Sequence, residues 1–526
     1  MAWFSPHRAL LPEIIALNGR WLPDKPAVTT DSRTTTWSTF AAATAKVANG
    51  LLQAGLERGD RVTILAENSL EMAEALFGTV RAGLTVVPLN VAVTDEAVHG
   101  MIVDSGARAV IASDEHISRI DAMRERLPAA LGARFFAIED PMEEKCDRQS
   151  RWQNFSAMRD ASSSDPPNVR IDENDSCNII YSSGTTGLPK GIVHGHGCRK
   201  AWATDMAISL RYHSGARTLV TLGMYSNITW VAMLATILTG GTLVIRSRFT
   251  QEDCLQSIAK HRITHFAMVP VQYQRLLEYE KFADHDLSSL EAYMCCGSPL
   301  GQAMKADIIG RMPGCLIELY GLTEGLVTIL SPEDMQDKID SVGRPSPGQD
   351  IRIVDDGDNV LGPEQPGEIV GISRLMMSGY HNNEAATEAA TWFGPGGQRW
   401  LRTGDIGRID EDGFLYLVDR KKDLIISGGQ NVYPADIEAV IATHGAIAEM
   451  AVIGVASRRW GETPIAVVVA RAGNEIDTGE FTAWVNARVG KQQRISATLL
   501  VDTLPRNPNG KILKRELRQQ FATLEL

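Results

Sequence analysis

The eleven residues Tyr181-Ser-Ser-Gly-Thr-Thr-Gly-Leu-Pro-Lys-Gly191 gather glycines, hydroxyls and one lysine directly after the apolar pair Ile179-Ile180. A loop of this composition behind a strand offers backbone N–H groups, with Gly184 and Gly187 among its glycines, to phosphate oxygens. The hydroxyls of Ser182, Ser183, Thr185 and Thr186 add further donors, and Lys190 adds a positive charge. It is not a Walker A loop, because Pro189 precedes the lysine and Gly191 follows it, where that motif needs Gly before and Ser or Thr after.

Glu318-Leu-Tyr-Gly-Leu-Thr-Glu324 stands at the end of a predicted strand. Tyr320 could stack on a base, Thr323 could bond a phosphate, and Glu324 could hold Mg²⁺, a hard cation that prefers carboxylate and phosphate oxygens. In Arg402-Thr-Gly-Asp405 a carboxylate follows a tight turn, and such a group can accept both hydroxyls of a ribose. Arg420 could bond the same sugar. Lys511 lies at the tip of the loop Pro505-Arg-Asn-Pro-Asn-Gly-Lys511. Taken singly, each of these charges would more often be a solvated surface group.

Positioning such groups requires a frame, and the chain supplies the pattern of one. Arg61 to Ala66 reads as a strand, Ser69 to Arg81 as a helix and Thr85 to Pro88 as a strand, a β-α-β unit. The alternation returns from Thr218 to Tyr320, with strands at 264–269, 292–296 and 316–319 and helices at 270–279 and 301–309. Strands alternating with helices imply largely parallel sheets covered by helices on both faces. The charge-free run Thr218 to Ile245 is broken by Asn227 and Gly240-Gly241, so it reads as a buried strand-helix-strand unit rather than a membrane span. Polar 143–175 reads as a surface connection, and Gly394-Pro-Gly-Gly397 as a turn.

With 526 residues, 44% of them hydrophobic, the chain can bury large cores in at least two domains. The charged run Arg420-Lys-Lys-Asp423 suits a connection between two bodies, which sets expected domains at 1–421 and 422–526. The fold class expected is α/β: a large N-terminal domain of helix-flanked, largely parallel sheets, with a smaller mobile α+β C-terminal domain. A formal net charge of -12 gives no field to attract nucleic acid or an anionic membrane. Seven cysteines without a C-x-x-C pair suit a reducing compartment, and the N-terminal segment shows no signal-peptide pattern, so a cytoplasmic location is expected. His194, His196 and Cys198 alternate along one segment and could converge on a metal, but no fourth ligand is suggested and a structural role is preferred.

In this order, these segments resemble the acyl-adenylate-forming superfamily: acyl-CoA synthetases, adenylation domains of peptide synthetases and firefly-type luciferases. Further matches are Arg81-Ala-Gly-Leu-Thr-Val-Val-Pro-Leu89, Cys296-Gly-Ser-Pro-Leu300, the run Asp419 to Pro434, and Trp460-Gly-Glu462. The resemblance spans about Pro26 to Leu517.

It implies that the loop from Ser182 to Lys190 closes over the phosphates of ATP. By the same resemblance Thr323 and Glu324 sit at the α-phosphate and Mg²⁺, Gly297, Ser298 and Tyr320 flank the adenine, and Pro299 and Gly321 belong to the ATP-binding segments as well. Asp405 and Arg420 would hold the ribose, Lys422 would be the hinge, and Lys511 would bridge carboxylate and α-phosphate. Rotation of the small domain about Lys422 would then bring Ser427, Gly428 and Gly429 to the pantetheine of coenzyme A.

The acid pocket falls at Gly223 to Trp230. Many fatty and aryl acyl-CoA synthetases carry an aromatic-His pair there, but this chain has Tyr225 followed by Ser226. Met224 and Trp230 favour an apolar acid, fatty, alicyclic or aryl, although their spacing equally suits core. The expected activity is therefore an AMP-forming acid:CoA ligase using ATP, Mg²⁺ and coenzyme A, with a homodimer left open. The alternatives are a stand-alone enzyme loading a separate carrier protein, and an inactive nucleotide- or acyl-sensing module.

Overall fold

The computed structural model describes residues 9–138, 151–182, 189–420, 423–427, 430–506 and 511–524. The chain forms two compact units. The first comprises Met1–Ile339, Pro345–Gln349 and Ile372–Thr391, and the second Asp340–Arg344, Asp350–Gly371 and Trp392–Leu526.

Two sheets build the first unit. One runs in the order Leu326–Leu330, Cys315–Leu322, Ala292–Cys295, His265–Met268, Arg217–Val220, Thr242–Ile245, Pro26–Thr29 and Thr34–Thr36. Its interior pairs are parallel, and the pairs at both ends of this order are antiparallel. The other runs Gly379–Tyr380, Lys190–Gly195, Ser176–Ser182, Thr85–Pro88, Arg61–Leu65, Ala109–Ser113, Phe135–Ile138 and Gln153–Asn154. It too is parallel inside, with an antiparallel hairpin from Ser176 to Gly195.

One hydrophobic core draws on both sheets and on the helices Trp37–Gln53, Leu70–Arg81 and Asn227–Thr239. Leu70–Arg81 is buried almost all round, which suits a helix covered on more than one face. Its Gly78 is required for packing, since a Cβ there would lie 2.5 Å from Val47. Of the charges that this helix carries inward, Glu74 is paired with Arg159 at 2.6 Å, and Arg81 donates to the neutral Thr44 hydroxyl at 2.8 Å and to the Ala41 carbonyl. Asn227–Thr239 is likewise buried between strands, ending at Gly240 in a left-handed cap, as the strand-helix-strand reading required. Among the described residues no helix is long and apolar enough to cross a membrane.

The second unit holds two sheets of different character. Gly367–Ile372, Arg399–Ile409 and Leu415–Arg420 pair antiparallel, with Asp350–Val354 alongside Gly367–Ile372. The other sheet contains Gln430–Val432, Ile425–Ser427, Gly461–Ala470, Ile447–Ser457 and Ala497–Leu500, with helices Pro434–Ile441, Thr478–Asn486 and Lys514–Gln520, an α+β arrangement. Separate apolar clusters centred on Ile437, Val468 and Phe481, and on Ile453, Val467 and Leu517, fill its core.

The structure departs from the expected elements in two places. The stretch 143–175 is not wholly connection, because Gln153–Asn154 forms an edge strand and Phe155–Asp160 a helix capped by Asn154. The antiparallel sheet from 350 to 420 was not foreseen at all. Lys421 and Lys422, where the domain boundary is expected, lie outside the described residues.

Candidate active site

In open α/β sheets, ligands meet the loops that leave the carboxyl ends of parallel strands. The first unit places most of the candidate residues on such ends. The strands Ala292–Cys295 and Cys315–Leu322 are parallel neighbours, with Cys295 opposite Glu318, so Gly297-Ser298-Pro299 leave the sheet beside Tyr320-Gly321, which lie in the carboxyl end of the longer strand. Gly297 has φ +94°, a conformation that favours glycine. A Cβ on Gly297 would lie 3.1 Å from Ile228, which puts the segment 223–230 against it.

Thr323 and Glu324 form the turn between Cys315–Leu322 and Leu326–Leu330. Gly325 closes that turn at φ +115°, and a Cβ there would lie 2.1 Å from the Leu375 carbonyl oxygen. Only glycine lets the segment 375–380 pass so closely. Met377 N–H then donates to the Glu324 carbonyl at 2.8 Å, and the Tyr380 hydroxyl donates to Glu324 Oε1 at 2.8 Å. Burial first, and the Glu324 carboxylate second, push the Tyr380 phenol above its ordinary range, so it stays a donor.

The hairpin holding the hydroxyl-rich loop is anchored at its mouth. Ser182 pairs with Lys190 and Tyr181 with Gly191 across the strands, and the Tyr181 hydroxyl donates to Asp104 at 2.6 Å. Lys190 Nζ lies 4.8 Å from the centroid of the Tyr380 ring, a cation–π contact. The backbones of Ser378 and His381 donate to Val193 and Gly191, which fastens Tyr380 to the hairpin. Lys190, Tyr380 and Glu324 thus form one row. Ser183, Gly184, Thr185, Thr186 and Gly187 lie outside the described residues.

In the acid-pocket segment Met224 and Trp230 are fully buried in the core, with the Trp230 indole donating to the Met224 carbonyl at 2.9 Å. Ser226 is buried at the N-cap of Asn227–Thr239, and Tyr225 beside it is partly exposed, its phenol raised by burial and then by Glu67.

His194, His196 and Cys198 do not converge. His194 Nε2 contacts the Thr323 carbonyl at 2.8 Å, Cys198 Sγ contacts the Leu375 carbonyl at 3.3 Å, and both ring nitrogens of buried His196 lack a partner among the described residues.

In the second unit, Asp405 lies within the strand Arg399–Ile409, not after a free-standing turn as expected. The ladder shifts register there, Glu368 facing Ile406 but Val370 facing Arg402, and Gly404 takes φ +69°. Such a bulge re-aims a side chain. Across the neighbouring pair Asp405 faces Arg420. Lys511 stands between Arg506 and Ile512, which form a β-bridge, with Leu513 N–H closing on the Pro505 carbonyl at 2.8 Å. Ser427 ends its strand opposite Gln430, and Gly428 and Gly429 lie outside the described residues.

Tyr380 and His194 were not singled out for these roles from sequence. An isolated Gly-Tyr pair carries no motif, and alternating histidines suggest a metal or a structural role without indicating which turn they would hold.

Parallel-sheet ends that carry a carboxylate-tyrosine-lysine row define an α/β fold with a polar site at its strand ends. The profile of the AMP-binding enzyme family matches residues 18–381, and that of the AMP-binding enzyme C-terminal domain matches 436–511. The chain belongs to this family.

It is 32% identical over 510 residues to a feruloyl-CoA synthase of an Amycolatopsis species, covering 96% of this chain and 97% of that protein. It is also 32% identical to the long-chain-fatty-acid–CoA ligase FadD13 of Mycobacterium tuberculosis, covering 93% of each. The solved structure of O-succinylbenzoate coenzyme A synthetase from Bacillus subtilis with ATP and magnesium ion superposes with a TM-score of 0.83 at 27% identity, covering 96% of this chain and 99% of that one.

Proposed function

We propose that the chain is an ATP-dependent acid:CoA ligase acting on an apolar carboxylic acid through an acyl-adenylate. The observation that carries this reading is the row Lys190–Tyr380–Glu324 beside the hydroxyl-rich hairpin, two cation- and anion-handling groups held by one ring. The relatives named above support it, being CoA ligases of aryl and fatty acids.

A carboxylate is a poor electrophile, and its attack on ATP brings two anions together. In the first half-reaction a carboxylate oxygen attacks the α-phosphorus, the bond to pyrophosphate breaks, and a mixed anhydride forms. Lys190 and the hairpin would hold phosphate oxygens, and the ammonium of Lys511 would offset charge developing at the phosphorus. Preorganised donors of this kind contribute about 3–4 kcal/mol each in the transition state.

Glu324 fits Mg²⁺: its carboxylate is only partly buried, Tyr380 takes Oε1, and Oε2 has no hydrogen-bond partner among the described residues. Bound there, the ion would neutralise phosphate charge. Asp405 would accept the ribose hydroxyls with Arg420 beside it, and Gly297, Ser298, Pro299, Tyr320 and Gly321 would flank the adenine.

In the second half-reaction the thiol sulfur of coenzyme A attacks the anhydride carbonyl and AMP leaves. Ser427, Gly428 and Gly429 would serve this step, and Lys511 would not. We place the pivot between the two steps at Lys422, with residues 422–526 as the moving portion. The acid would lie along Tyr225, Ser226 and Ile228, with Met224 and Trp230 as the apolar wall behind. Serine in place of histidine at 226 would enlarge or repolarise that pocket. Mass spectrometry of a single-turnover mixture tests the reading: an acyl-AMP without CoA and an acyl-CoA with it are expected, and neither product from any acid would overturn it.

A further inference from the structure

Arg199 is completely buried, and its guanidinium bonds only neutral groups. Nε donates to Asn178 Oδ1 at 2.6 Å, one terminal nitrogen to Asn227 Oδ1 at 2.8 Å, and the other contacts His194 Nδ1 at 3.1 Å. The rings of Trp202 and Trp230 lie 5.9 and 5.1 Å from its central carbon. Burying a cation without a carboxylate is costly, and these contacts only partly offset that cost. A side chain of this kind calls for an explanation beyond packing.

The chemistry of its contact with His194 fixes a proton. Arginine has no acceptor, so His194 Nδ1 must accept, and the ring proton must sit on Nε2. Nε2–H then donates to the Thr323 carbonyl at 2.8 Å. Burial first and Arg199 second hold the His194 imidazole well below its ordinary pKa, which keeps this single neutral tautomer at physiological pH. The same Arg199 also grips Asn227, the first residue of the helix that follows Tyr225 and Ser226.

We propose that His194 is a positioning residue for adenylation, held in its Nε2–H tautomer by Arg199 so that it fixes the Thr323 carbonyl and with it the Thr323–Glu324 turn. Through Asn227, Arg199 ties that turn to the segment that would receive the acid. The inference rests on Thr323 and Glu324 facing phosphate and metal, and the native enzyme's own activity tests that reading separately.

Five variants decide the matter: His194→Leu, His194→Gln, His194→Asn, Arg199→Met and the double variant His194→Leu/Arg199→Met. Each is measured for ATP–pyrophosphate exchange (kcat, and KM for the acid), for thioester formation from supplied acyl-adenylate and CoA, and for thermal unfolding. Glutamine can accept from Arg199 and donate to Thr323 at once, whereas the shorter asparagine reaches only one of them.

The expected result is a folded His194→Leu enzyme whose exchange kcat falls about 10- to 100-fold with KM for the acid little changed, the loss of one charge-linked hydrogen-bond pair. Its thioester step should stay near native, glutamine should restore most of the exchange rate, and Arg199→Met should add little in the leucine background. If leucine prevents folding, the contrast between glutamine and asparagine carries the test. A folded leucine variant with native exchange, glutamine no better than asparagine, or equal loss of both half-reactions would overturn the proposal. Exchange absent from the native enzyme would instead remove the reading on which it rests.

Discussion

The phenol of Tyr380 donates to Glu324 Oε1 at 2.8 Å, so the carboxylate assigned to the metal is oriented by a residue 56 positions later in the chain. Tyr380→Phe removes this bond and keeps the ring under Lys190. A hydrogen bond to a charged group contributes about 1.5–3 kcal/mol, so adenylation should slow by roughly 10- to 100-fold. Titrating Mg²⁺ in the exchange assay checks it, and the variant should need more of the ion for half-maximal rate.

Glu324→Gln keeps the shape and the bond partner but removes the charge. Exchange should fall at least about 100-fold, as for loss of a group stabilising developing charge. Thermal unfolding should barely move, because Glu324 is only partly buried.

Lys511→Ala separates the half-reactions. Acyl-adenylate formation should drop by about 100-fold or more, while conversion of supplied acyl-adenylate to thioester continues. Parallel quenched-flow assays of the two steps read this directly, and equal loss of both would contradict the division of labour.

Much of this frame was legible from the chain. Hydrophobic runs of strand length alternating with amphipathic or wholly apolar helices fixed the parallel sheets, because burial imposes those periods. The loop ends fell where the motifs stood. Residues 350–420 were not legible because their strands carry Asp, Glu and Arg at many positions, and the ladder is broken by a bulge at Gly404. The row Lys190–Tyr380–Glu324 was equally hidden, since it joins three distant segments through one close passage at Gly325, a contact without a local pattern.

That passage makes a stability prediction. Gly325→Ala adds a Cβ 2.1 Å from the Leu375 carbonyl at a backbone angle that other residues avoid. Conformational strain alone costs about 1–3 kcal/mol, and the clash adds to it. Differential scanning calorimetry should show a lower Tm, with exchange activity impaired even in the folded fraction.

His196 gives the pH dependence. Burial, with no hydrogen-bond partner for either nitrogen among the described residues, lowers its pKa from 6.5 to about 4. Between those values the unfolded chain takes up a proton that the native state refuses. Its contribution is therefore complete above 6.5 and is lost as pH falls towards 4. The slope reaches about 1.4 kcal/mol per pH unit for one such group. In urea unfolding, His196→Gln should show a shallower decline over that window than the native protein. Identical slopes would contradict the burial argument.

The central claim is tested most directly by pyrophosphate release with Mg-ATP across short, medium, long, alicyclic and aromatic acids, each with and without CoA. Release should depend on an apolar acid and turn over only when CoA is present. Turnover indifferent to CoA, or no release with any acid, would contradict it, the first pointing to a carrier-loading enzyme and the second to a sensing module.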